Sequence, residues 1–140
     1  MAAELFALAK KECIAVWWWD FAPPVKGLYW APPGLAPLIA LDHSLTHNNS
    51  LLRTVLAEEL GHHFTTADDC LCRTYCNYQD RLSISKAEHK ALKWAAEYLM
   101  PNRELQKAIK HGIQEKWELA EYFDVTEEMV DFRLGLPREG

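Results

Sequence analysis

Basic charge is the first shortage in this chain. With 15 Lys and Arg against 20 Asp and Glu, the formal net charge is -5, which argues against a surface that grips nucleic acid, because such domains carry a basic face. Long apolar runs are also missing. Ile14 to Trp19 and the proline-broken Ala31 to Leu41 fall well short of the roughly 20 residues needed to span a bilayer, so no membrane role is expected. No export signal is legible, since Glu4 interrupts the first apolar residues and Lys10 and Lys11 follow them instead of leading. The expected location is cytoplasmic. Cysteine is sparse, and Cys70, Cys72 and Cys76 crowd into one short stretch. Without an oxidising compartment they read as free thiols rather than disulfides, and the C-x-C spacing lacks the two-residue spacer of common zinc knuckles. Internal repeats and low-complexity stretches are absent.

What is present is enough for a core. A 140-residue chain that is 49% hydrophobic, with six Trp, is sized for one domain over residues 1–140. Leu5, Ala7, Leu8 and Cys13 predict a short amphipathic helix over about 2–12. Three short strands should follow, at Ile14 to Trp19, Gly27 to Ala31 and Pro37 to Asp42, separated by the proline turns at Pro23-Pro24 and Pro32-Pro33-Gly34. Leu51, Leu52, Val55, Leu56 and Leu60 keep a helical period from an N-cap at Asn49 or Ser50 to His63 or Phe64. Thr65 to Leu82 shows no clear period and reads as a long loop over a site. A second long helix runs from Ser85 to Pro101, and a third begins at a cap on Asn102 and ends at Gly112. The last segment, 113–136, predicts a hairpin of two short helices, the second capped by Thr126. The expected class is α+β: a small antiparallel or mixed N-terminal sheet of about three strands on a mostly helical remainder, with a zincin-like metal helix.

That helix carries the chemistry. In Glu58-Glu59-Leu60-Gly61-His62-His63, positions 58 and 62 lie four residues apart and emerge on one helix face, as do the two ligands of an H-E-x-x-H zinc site, with Glu59 placed as general base. Gly61 would let another backbone or a substrate come close at the site. The same residues also allow a plainer reading, in which Glu58 and Glu59 are a solvated face and the histidines end the helix. Catalytic zinc needs a third protein ligand, and Glu88 offers one, followed three residues later by a small Ala91 that suits close packing. Yet Ser85-Lys86-Ala87-Glu88 is also a capping box, which would use Glu88 on its own helix terminus. Both readings stay open on spacing alone.

Leu56-Ala57-Glu58-Glu59-Leu60-Gly61-His62, then Glu88-x-x-Ala91-x-x-Trp94-Ala95, then Leu99-Met100-Pro101, together resemble the ImmA/IrrE family of bacterial zinc metallopeptidases over about residues 25–101. That family typically shows L-A-H-E-L-G-H, E-x-x-A-x-x-F-A and L-M-P. The resemblance implies a gluzincin-like site in which His62 and Glu88 bind zinc and Glu59 activates water. It also implies a bacterial or mobile-element protein whose substrate is a repressor or other transcriptional regulator. The chain departs from the pattern at Glu58. If Glu58 is a ligand, the set becomes Glu, His, Glu, which is more negative and harder, so zinc would bind less tightly or another divalent metal could serve. His63 and His89 sit about 100° away on their helices and are candidates for supporting the ligands or touching substrate. Tyr75 and Tyr78 are candidates for steadying an oxyanion, and an extended substrate could add to a strand edge near Leu38 to Leu41.

A rival reading comes from Trp117 to Val130, which has the rhythm of a helix-turn-helix. Glu115, Glu118, Glu121, Asp124, Glu127, Glu128 and Asp131 against Lys116 would repel phosphates, so the hairpin reads instead as a packing or partner-docking unit. The principal expectation is thus a zinc-dependent endopeptidase, and the alternative is a weak or inactive relative that binds a regulator.

Overall fold

In a computed structural model of the chain, residues 2–66, 70–75 (backbone only) and 85–137 are described. Helix α1, Ala3–Lys11, has Glu4 in its first turn and Lys10 and Lys11 in its last, each sign opposing the helix dipole. Its Leu5 and Ala9 are buried. Strands β1 (Ala15–Trp19), β2 (Val25–Ala31) and β3 (Leu38–Asp42) follow at the anticipated places. Asp42 then caps a 3-10 turn over His43–His47.

Helix α2, Asn49–Thr65, is capped by Asn48, whose side chain accepts the Leu51 N–H. The cap lies one residue earlier than expected, a shift of the size common at helix ends. The helix is enclosed on all sides, with every residue from Leu52 to His62 buried. Helix α3, Lys86–Leu99, starts at the Ser85 cap. Helix α4, Asn102–Lys110, takes Pro101 rather than Asn102 as its capping residue, and its C-cap His111 is followed by Gly112, whose φ of +91° is left-handed backbone that glycine adopts freely. Helices α5 (Lys116–Phe123) and α6 (Glu127–Gly135) form the C-terminal hairpin, the second capped by Thr126.

One expectation is corrected here. Residues 65–82 were read as loop, but Cys70–Tyr75 forms a strand, β4, antiparallel to β2. Its short Cys-Leu-Cys-Arg-Thr-Tyr run has too little alternation to announce itself, and it is the pairing with β2 that makes it a strand. The class is α+β. The mixed sheet has the order β1-β3-β2-β4, with β1 parallel to β3 and the remaining pairs antiparallel.

This order overturns a second expectation. β3 is paired on both sides, by β1 and by β2, so Leu38 to Leu41 offers no edge to an added substrate strand. Among the described residues the sheet edges are β1 and β4. One sheet face rests on α2, through Gly27 and Tyr29 of β2. The opposite side of α2 packs on α3, the most extensive contact between two elements. Phe64, Trp94 and Tyr98 stack in series along that seam, with ring centroids 4.9 and 5.0 Å apart.

The hairpin is tied back to α2. Asp124, left-handed at the α5 C-terminus, accepts hydrogen bonds from the side chains of Asn49 and Ser50. Arg53 Nε donates to the Asp124 carbonyl at 3.0 Å, and the Thr126 N–H donates to Thr54 Oγ1 at 3.2 Å. The inner side of α6, with Met129, Val130 and Arg133, is buried. Arg133 Nε donates to the Met100 carbonyl at 2.8 Å, which fixes α6 to the end of α3.

Candidate functional site

Glu58, Glu59 and His62 are each 0% exposed. The solvated-face reading of the two glutamates is therefore excluded. Ionised carboxylates are almost never fully enclosed without compensating positive charge or protonation, because removal from water costs several kcal/mol or more per ion. Two of them beside an imidazole, within one and a half turns of helix, form an expensive arrangement. The sequence places these groups at helical spacing, and the layers on either side bury them.

Two glycines set how close those layers come. A Cβ at Gly61 would lie 2.3 Å from the Ala91 carbonyl oxygen and 2.9 Å from its carbon, so α2 and α3 touch backbone to backbone there. The pairing of Gly61 with a small residue three positions after Glu88 thus does what its spacing suggests. On the sheet side, a Cβ at Gly27 would meet Val55 Cγ1 at 2.8 Å and Glu59 Oε1 at 3.3 Å. Glu59 therefore lies against the backbone of β2, and Gly27 is part of the site's wall. Sequence reasoning read Gly27 only as the start of a strand. A glycine inside a strand is itself a sign of close approach, and that signal was available.

The remaining candidates are spread more widely. Glu88 is half-buried in the first turn of α3, and its backbone N–H donates to Ser85 Oγ at 3.1 Å, so the Ser85 half of the capping box is formed. His63 points into the fold: Tyr29 Oη lies 2.9 Å from its Nδ1 and Glu12 Oε1 3.1 Å from its Nε2. A neutral ring that accepts from the tyrosine and donates to the carboxylate satisfies both contacts. His63 is thereby a clip joining α1, α2 and β2. His89 is exposed on α3, with its ring edge-on to Phe132 at 5.5 Å. Tyr75 closes β4, with a side chain outside the described residues, and Tyr78 lies outside them altogether, as do Cys70, Cys72 and Cys76 as side chains.

The donor types suit a divalent cation at Glu58 and His62, since imidazole and carboxylate are both ordinary zinc ligands. Among the described residues, however, no three His, Cys, Asp or Glu side chains gather into a metal-binding group.

A family profile described as Peptidase_M78, the IrrE N-terminal-like domain, matches residues 22–135. The chain belongs to this metallopeptidase family. The matched region reaches beyond the α2 and α3 motifs and takes in the whole of the α5–α6 hairpin, so that hairpin lies within the family domain. No curated protein matches the chain significantly. Among the described residues no helix is long and apolar enough to cross a membrane.

Proposed function

We propose that this Peptidase_M78 member is a zinc-dependent endopeptidase acting in the cytoplasm, as one domain over residues 1–140, on a protein substrate such as a repressor or other transcriptional regulator. The observation that supports it is the complete burial of Glu58, Glu59 and His62 on one helix, which is costly for a fold and useful for a catalyst. Glu58 and His62 would hold the metal, with Glu88 as third ligand. A bound divalent ion there would polarise a peptide carbonyl and acidify water. Glu59 is the proton carrier, taking a proton from the attacking water and delivering one to the leaving amine. Its place against Gly27 limits its carboxylate to a small range of positions and keeps bulk water away from that side. With Glu58 where the family has histidine, the extra carboxylate lowers the acidifying power of the ion, so slower turnover than in His, His, Glu sites is expected.

A second reading is favoured by two observations together: Glu58 in place of the histidine, and no three-donor group among the described residues. In it the chain keeps the family scaffold and binds a regulator without cutting it. Metal content separates the two. The peptidase reading expects stoichiometric zinc in purified protein, lost in His62→Ala and kept in Glu59→Gln, with cleavage of a co-expressed regulator lost in both. A chain that takes up no divalent ion, measured by mass spectrometry of the metal, supports the binding module instead.

A further inference from the structure

The free edge of β1 carries an inference independent of the peptidase site. Ala15–Trp19 is an uncharged strand at one end of the sheet, and among the described residues no strand pairs with its outer side. Trp17 and Trp19 are 58% and 57% exposed. Proteins ordinarily blunt such edges with charge, proline or a bulge, because an open apolar edge pairs with other strands. None of these devices is present between Ala15 and Trp19.

We infer that this edge joins two copies of the chain, β1 against β1, into one continuous sheet. The register follows from the backbone. Ala15 N–H donates to the Pro37 carbonyl at 3.0 Å, so Ala15, Trp17 and Trp19 direct their backbone groups at β3, and by strand alternation Val16 and Trp18 direct theirs outward. An antiparallel two-fold pair centred on Trp17 sets Val16 of one copy opposite Trp18 of the other. In that alignment the outward groups of both residues meet as a hydrogen-bonded pair, made twice by symmetry. Trp17 then faces its own copy at the close, non-hydrogen-bonded position, and each Trp19 lies beside the small Ala15 of its neighbour.

Charge favours the same alignment. Lys10 lines the groove below the edge, together with Phe6, Cys13, Ile14, Ala15 and Val16, and Lys11 is exposed next to it. Asp20, with a side chain 88% exposed, stands at the other end of the strand. Centring on Trp17 places Ile14 opposite Asp20 of the second copy. The basic end of each protomer therefore meets the acidic end of the other, at both ends of the interface. A parallel pairing would instead oppose like charges, which is unfavourable.

Sedimentation equilibrium of the full chain tests this. A species of twice the chain mass is expected, and Trp17→Lys should weaken it by about tenfold or more, because two lysines then stand directly opposite each other. Val16→Pro, which removes an outward N–H not used by β3, should weaken it as well. Lys10→Asp should loosen the dimer, and adding Asp20→Lys should restore it. Urea midpoints of the exposed-site variants, taken at dilutions where wild type is monomeric, should match wild type. A chain that stays monomeric at every concentration, or a dimer indifferent to Trp17→Lys and Val16→Pro, overturns the proposal. Failure of the charge swap to restore association overturns the register.

Discussion

Arg53 and Thr54, in the N-terminal half of α2, are buried like Glu58, Glu59 and His62 in its C-terminal half, but the two groups differ in composition and in neighbours. Arg53 donates to Glu4 at 2.8 Å and to the Asp124 carbonyl, and Thr54 donates to the Ser50 carbonyl and accepts from Thr126. Opposite charges and matched donors hold the hairpin and α1 to the helix. The C-terminal half instead sets two carboxylates side by side with an imidazole, against the Gly27 backbone of β2 and toward α3. One half uses buried polarity to assemble the domain. The other concentrates titratable groups, the pattern that fits chemistry better than packing.

Gly61→Ala should break the comparison most severely. With 2.3 Å to the Ala91 oxygen, the added methyl forces α2 and α3 apart, and a loss of about 3 kcal/mol in urea denaturation is expected, the upper range for overpacking against backbone. A loss below about 1 kcal/mol would mean that the seam is looser than this contact implies.

Arg53→Met should follow, at about 2 kcal/mol, because it leaves the Glu4 carboxylate and the Asp124 carbonyl without their buried donor while keeping most of the side-chain volume. Glu4→Gln should cost only a few tenths, about 0.5 kcal/mol at most, since its side chain is largely exposed. Equal losses from the two would show that the pair is not organised around the arginine.

The adjacent histidines sharpen the contrast. His63→Ala should cost about 1 kcal/mol of stability for its lost hydrogen bonds and leave zinc content unchanged, whereas His62→Ala should abolish zinc content. If both variants lose metal equally, the division of labour between clip and ligand is wrong.

The smallest effect concerns pH at the N-terminal half. Burial raises the Asp124 pKa, but hydrogen bonds from Ser50 and Asn49 and the nearby Arg53 charge outweigh it, so the value falls below 3.8. A carboxyl depressed in the folded state contributes stability that is complete above its unfolded value and is lost as pH falls through the folded one. Asp124→Asn should therefore lower the urea midpoint at neutral pH and converge on wild type in strong acid. A gap that stays constant down to the lowest pH would assign the effect to shape rather than charge.

Much of this was legible in the chain itself. Proline turns delimited the first three strands, and the Leu51, Leu52, Val55, Leu56, Leu60 period located α2, because turn chemistry and helical periodicity act over a few residues. The Gly61 and Ala91 approach was also readable, since small residues leave few other reasons for their spacing. β4 was not, because a strand without alternation is defined by its partner. Nor was the central place of β3, since strand order is a property of the assembled sheet.

By itself, the order of residues determined that Glu58, Glu59 and His62 share a helix and that Glu88 opens another, because backbone geometry spaces side chains without outside help. Only the tertiary structure decided that the first three would be sealed from water, that His63 would turn to Tyr29 and Glu12, and that Glu88 would stay half-buried. Burial and pairing depend on which distant segments pack against a residue, and no local pattern contains that information.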